Sequence, residues 1–326
     1  MRITLELLQK YAAQYVESRT QQEHGIVSAF LAGSMVDGDA LWCEVPDIDL
    51  VVVHNFPPEM PREIVPLVND VHLDIRHYDR QRYEPARQIR DDAILGPTVY
   101  AGRALYDPLH FFDFVQASVR SQYDRPERVY RRAAPLLDEA RQTWFTLQGE
   151  AFSPDFLGKY LDAVRNAARS LAALLGTALT PRRFALLYRR AAIDLGNEGV
   201  FSGFLGMLGG NNASGEDVVA WLSPWESAWK EIAASGEAAE WSLPRLAYFR
   251  SGIQTLLRKE TPQMALWPLL TTWTSLARLG TGRAEWEAAC RALRLDIPQE
   301  RLTALDAYLD TVEEILGRWA RQNGVG

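Results

Sequence analysis

The stretch that most constrains this chain is Ser28 to Val53, SAFLAGSMVDGDALWCEVPDIDLVVV. An apolar run, Ile26 to Ala32, stops at Gly33-Ser34, and after twelve further residues Asp47-Ile48-Asp49 opens a second run, Leu50 to Val53. Both runs are short and bounded by turn residues, which predicts strands. Successive side chains of a strand point to opposite faces, so Asp47 and Asp49 share one face while Ile48 and Leu50 take the other. At about 3.3 Å rise per residue the two aspartate Cα atoms lie roughly 6.5–7 Å apart. Carboxylates that close repel each other unless positive charge sits between them. The pattern therefore points to a Mg²⁺ site on Asp47 and Asp49.

A third strand is expected over Val71–His77, where Val71, Leu73 and Ile75 share one face and His72, Asp74 and Arg76 the other. If it pairs beside the Asp47/Asp49 strand, Asp74 joins the first two acids. Three acidic groups around two Mg²⁺ ions suit an in-line phosphoryl displacement, with Asp74 placed to accept the proton of the attacking hydroxyl. Gly33-Ser34 supplies the complementary part. Glycine allows close backbone approach, and Ser34 can cap a short helix expected over Met35–Leu41, whose free N–H groups would hold phosphate. No G-x-x-x-x-G-K-[ST] occurs, so a nucleotide would not bind through a P-loop.

Before these strands, residues 3–18 carry a helical period. Between the second and third, FPPEMPREIVPLVND reads as Pro-rich punctuation followed by a short helical piece. A helix is expected from about Arg80 into Asp92, and VYAGRALYDP reads as a strand or hairpin. Past Phe111 the alternation ends and helical periods take over. Ser153-Pro154-Asp155 and Thr180-Pro181 read as N-caps followed by proline at the first helical position. LGKYLDAVRNAARSLAALLG closes at Gly176 and FALLYRRAAIDLG at Gly196, with further helices expected over 215–234, 244–259, 263–279, 283–294 and 299–322. The expected architecture is α+β: a small mixed sheet in residues 1–110, then an all-α domain over 111–326.

A net charge of −7 argues against long nucleic acid as the main substrate. Cys43 and Cys290 are the only cysteines and lack metal-ligand spacing, which fits a reducing cytoplasm. No window approaches the 18 or more apolar residues of a membrane span. A homo-oligomer is compatible with this sequence.

An apolar run ending in Gly33-Ser34, twelve residues, Asp47-Ile48-Asp49-Leu50 and a later Asp74 together resemble the DNA polymerase beta-like nucleotidyltransferase superfamily, over residues 25–80. The resemblance implies a small mixed sheet with flanking helices and transfer of a nucleoside monophosphate, AMP from ATP, to an acceptor hydroxyl with release of pyrophosphate. By that match Gly33 and Ser34 hold phosphate, Asp47 and Asp49 bind Mg²⁺, and Asp74 completes the site. A helical domain bearing Lys159 on a helix such as 155–176 is similar to that of the antibiotic (aminoglycoside-type) nucleotidyltransferases, and a small hydroxylated acceptor fits the acidic chain better than RNA or DNA does. A protein adenylyltransferase and a non-catalytic nucleotide-binding module are the alternatives.

Each candidate also has a plainer reading. A lone D-x-D is commonly a solvated strand end, and Asp74 can simply pair with Arg76 or His72. Glu84 and Asp91 are reserve bases on an expected helix, where carboxylates are usually just exposed. Lys159, Asp162, Asn166 and Arg169 share a helix face that can meet a triphosphate or ribose, or form intrahelical ion pairs. Histidines 24, 54, 72, 77 and 110 show no HExxH spacing, which argues against zinc. GFLGMLGG at 203–210 follows no strand and reads as a flexible helix connection, and seven tryptophans between 221 and 286 read as helical core.

Overall fold

The computed structural model describes residues 3–36, 38, 40–68, 70–236 and 239–325. The chain divides into two compact units, Met1–Tyr123 together with Gly236–Ser251, and Asp124–Ser235 together with Gly252–Gly326.

The first unit is built on a five-stranded sheet of order β3-β4-β2-β1-β5, with β1 at Ile26–Leu31, β2 at Asp47–His54, β3 at Arg62–Pro66, β4 at His72–Asp79 and β5 at Arg103–Tyr106. Only β2 and β4 run parallel; every other pair is antiparallel, so the sheet is mixed. Helix α1, Leu5–Gln22, starts where the Thr4 hydroxyl accepts a hydrogen bond from the Leu7 amide. It buries Leu8, Ala12 and Val16, spaced one turn apart, among Ile48, Leu50, Val52, Leu73 and Ile75 of one sheet face. The opposite face packs Phe30, Val51 and Val53 against Val99, Phe112, Val115 and Val119. That second row does not stay apolar. Continuing from Val53 and Val51 toward the start of β2, it turns into Asp49 and Asp47, so the acids sit at the edge of a core rather than on a bare surface.

Several local expectations need correction. FPPEMPREIVPLVND contains no helix among the described residues. Its Arg62–Pro66 is β3, an edge strand antiparallel to β4, and an edge tolerates prolines because one side of its backbone needs no sheet partner. The helix expected over Met35–Leu41 is a single 3₁₀ turn, Gly33–Met35, followed by turns; Asp37 and Asp39 lie outside the described residues. Between Arg80 and Asp92 a 3₁₀ turn at Arg80–Tyr83 and a four-residue helix, α2 (Ala86–Ile89), are separated by Pro85, which lacks the N–H a continuous helix would need. Helix α3, Leu95–Ala101, precedes β5, and α4 spans Phe111–Arg120.

In the second unit α5 is Pro126–Thr146 and α6 is Pro154–Ala173, the latter capped by the Ser153 hydroxyl accepting from the Phe156 amide at 3.1 Å. Next come α7 (Phe184–Asp194), α8 (Glu198–Met207) and α9 (Gly215–Ser235). Thr180-Pro181 is not a helix start, since α7 begins only at Phe184. Much of GFLGMLGG is ordered in α8, its glycines tolerated where Gly203 lies against the Tyr308 ring. Helix α10, Leu243–Leu257, crosses the division between the units, and α11 (Leu266–Arg278), α12 (Arg283–Ala292) and α13 (Pro298–Gln322) close the chain. Trp225, Trp229, Trp267, Trp273 and Trp286 are fully buried; at about 1.5–3 kcal/mol for each large apolar side chain removed from water, such residues dominate this interior. Among the described residues no helix is long and apolar enough to cross a membrane.

Candidate functional site

Strands β2 and β4 are aligned so that Asp47 pairs with His72 and Asp49 with Asp74. Partners in neighbouring strands sit about 4.8 Å apart with side chains on the same side, so all three aspartates gather on one face. Asp47, His72 and Asp74 are buried, and each offers one ligand atom within 4.8 Å of the others. His72 is an addition to the expected set: its shared face with Asp74 is legible in the alternation, but its proximity to Asp47 depends on the strand register.

Asp49 faces the turn. Gly33 has φ +56°, and a Cβ placed there would lie 2.1 Å from Asp49 Oδ2. Glycine is thus required twice, for the left-handed backbone and for the carboxylate pressed against it. Burial, then the charges of Asp47 and Asp74, hold the Asp49 carboxyl well above the usual carboxylate range, while Arg76 and Arg62 pull the other way. On the same turn the Ser34 hydroxyl is buried without a hydrogen-bond partner. An unmet buried hydroxyl destabilises a fold by about 1–3 kcal/mol. Here it leaves a donor available to a ligand oxygen.

Asp74 is held by two arginines. Arg62 Nε donates to Oδ1 at 2.8 Å and its Nη2 to Oδ2 at 2.5 Å, a two-point contact from β3. Arg245 Nη1 donates to Oδ2 at 2.6 Å. Arg245 comes from α10, in the segment that rejoins the first unit. One and two turns on from it, Tyr248 sets its ring edge-on to His72 at 5.8 Å, and the Ser251 hydroxyl accepts from the Val45 amide at 3.2 Å. The partners first expected for Asp74, Arg76 or His72, are therefore not the ones that bind its oxygens. Neither arginine was identifiable as a site residue from sequence: Arg62 lies among prolines, and Arg245 is 171 residues from Asp74.

The remaining candidates sit on other elements. Lys159 is in the second unit on α6, half-exposed, with Nζ 2.8 Å from Glu150 Oε1; on the same helix Asp162 pairs with Arg165. Glu84 is exposed and paired with Arg80, and Asp91 lies in the turn after α2.

No family model matches this sequence, and no curated protein does. A nucleotidyltransferase-like protein is among the similar solved structures. It comes from Exiguobacterium sibiricum 255-15, is 14% identical, and matches over 95% of this chain and 91% of its own, with a TM-score of 0.28. At that score the likeness carries no functional argument.

The donor set fits a divalent cation: two buried carboxylates and an imidazole within reach of one ion, with a third carboxylate alongside. It fits phosphate at Gly33-Ser34 through glycine's close approach and the unpartnered hydroxyl, but not through a helix dipole, since the turn has only three residues.

Proposed function

We propose that this chain is a metal-dependent nucleotidyltransferase that moves a nucleoside monophosphate, AMP from ATP, onto a hydroxyl of a small molecule and releases pyrophosphate. The observation that carries this reading is the convergence of Asp47, Asp49 and Asp74 on one face of two register-matched parallel strands, with Gly33 packed against Asp49. Asp47, with Asp49 or Asp74, would hold the cation. A divalent ion bound there supplies charge neutralisation on the phosphates and a lowered pKa for the acceptor hydroxyl.

The chain's own groups then account for the rest. The Ser34 hydroxyl donates to a phosphate oxygen, and the absence of a side chain at Gly33 lets that oxygen approach the backbone. Arg62 and Arg245 fix the Asp74 carboxylate in one orientation, so its geometry is set before substrate arrives. Both Asp74 oxygens already accept hydrogen bonds from guanidinium groups, so proton abstraction is secondary to positioning.

The same two arginines favour one other reading, a nucleotide-binding module without turnover, because they already neutralise the acid that completes the site. Incubation of the full chain with labelled ATP, divalent cation and a panel of hydroxylated small molecules separates the two. Pyrophosphate release that is lost in Asp47→Ala and Asp49→Asn, with the fold retained, supports the enzyme. Calorimetric binding of ATP with no release supports the module, and near-normal turnover in either variant refutes the site. Labelled AMP appearing on an added protein substrate instead would move the acceptor from small molecule to protein.

A further inference from the structure

The cation expected from sequence is Mg²⁺ on oxygen ligands. The residues that lie within ligand distance of one another are different: Asp47, Asp74 and the imidazole of His72. His72 is fully buried on the acidic face of the sheet, opposite Asp47 in the register, and its ring is braced by Tyr248. Asp49, the second expected ligand, has its carboxylate packed against Gly33. Beside this set the turn carries a separate sign of a missing ligand, the buried Ser34 hydroxyl without a hydrogen-bond partner.

We infer that His72 is a ligand of the cation, with Asp47 and Asp74, and that the site selects Mn²⁺ over Mg²⁺. This rests on the cation site proposed above but not on the reaction. The physical ground is ligand softness. Mg²⁺ holds to oxygen and sheds water reluctantly, whereas an imidazole nitrogen suits the transition ions, of which Mn²⁺ also accepts carboxylates readily. Two ligand atoms on one ion lie at most about 4.4 Å apart, at bond lengths near 2.2 Å. The observed limit of 4.8 Å needs only a small side-chain rotation. Asp74 can contribute through Oδ1, which accepts only Arg62 Nε among the contacts described, while Oδ2 keeps both Arg62 and Arg245.

The test uses the full chain and MnCl₂ alone. Loss of the free Mn²⁺ electron paramagnetic resonance signal measures binding, and electron spin echo modulation of the bound ion reports nitrogen coordination. A single bound Mn²⁺ with nitrogen coupling, retained against a tenfold excess of Mg²⁺, is expected. In His72→Asn the Mn²⁺ affinity should fall by at least the roughly 10–100-fold that loss of an outer-shell partner costs, while Mg²⁺ affinity changes little. Bound Mn²⁺ without nitrogen coupling, equal affinity for the two ions, or no Mn²⁺ binding at all overturns the inference. The coupling is read on the unaltered protein, so it decides the matter even if His72→Asn fails to fold. Transfer from ATP is scored separately. An active chain whose Mn²⁺ lacks nitrogen coupling refutes the ligand and keeps the enzyme, whereas nitrogen-coupled Mn²⁺ without transfer does the reverse.

Discussion

Replacing Asp74 by Asn removes a charge without changing volume, and its consequence can be worked from the contacts. The Asp74 side chain is 4% exposed and that of Arg245 is 9% exposed, so their pair is buried; Arg62 is 23% exposed and can turn its guanidinium toward water. Removing one partner of a buried pair strands the other charge, at about 3–5 kcal/mol. Arg245 bears that penalty; Arg62 adds little. The carboxamide oxygen of the substituted side chain still offers one acceptor, which places Asp74→Asn near the lower end of that range. Changing Asp74 to Leu and Arg245 to Met together should restore most of the loss, because apolar replacement of a buried pair is often neutral or stabilising by about 1–4 kcal/mol. Urea unfolding, with hydrogen exchange of β2 and β4 amides to report on the first unit, measures both. The exposed pair Arg80–Glu84 is the control: Glu84→Gln should shift stability by no more than about 1 kcal/mol. If Asp74→Asn behaves like Glu84→Gln, the buried-pair reasoning fails. If the double replacement is worse than the single one, the stranded charge was not the cause.

Gly33→Ala should destabilise by about 1–3 kcal/mol from the left-handed backbone alone. The added clash with Asp49 should make that loss smaller in an Asp49→Ala background, and an additive double-mutant cycle would refute it. Asp49→Asn should stabilise the fold at pH 7–8 while abolishing transfer. The folded Asp49 carboxyl titrates above its unfolded value, so stability is lost as pH rises from the unfolded toward the folded pKa and the penalty is complete above the latter; the gain from Asn should close as pH falls, and a gap that persists under acid contradicts this. On the other sheet face His54 Nε2 and His77 Nδ1 lie 2.9 Å apart, among Glu23, Glu63, Arg19 and Tyr15. Burial lowers both imidazoles below their usual value. The unfolded chain then binds more protons, and stability from this pair is lost as pH drops below about 6.5. Melting temperature should accordingly fall more steeply between pH 7 and 5 in the unaltered chain than in His77→Asn.

The acidic face was legible because strand alternation is local: once Asp47, Asp49 and Asp74 are on strands, their side follows from counting. Gly33 was legible for a related reason, a glycine at the end of an apolar run. What the sequence concealed lies in pairings between distant segments. Whether Asp74 sits opposite Asp49 or is displaced by a residue depends on the β2–β4 register, and His72 becomes a neighbour of Asp47 only through it. The 3₁₀ turn at Gly33–Met35 replaced the expected helix, and Gly38, with φ +80°, cannot continue one. Arg62 was obscured by flanking prolines that an edge strand accommodates. Helix α10 was readable as a helix, but nothing in its period says that Arg245 reaches back to Asp74.

That return has a consequence for synthesis. The ribosome delivers β1 to β5 by Tyr106, yet the guanidinium that balances Asp74 from α10 emerges only after more than a hundred further residues. Until then the nascent amino-terminal sheet carries its acids with one counter-charge fewer. A chain stopped at Tyr123 should remain in that unfinished state, soft around β4 however long it is left to fold.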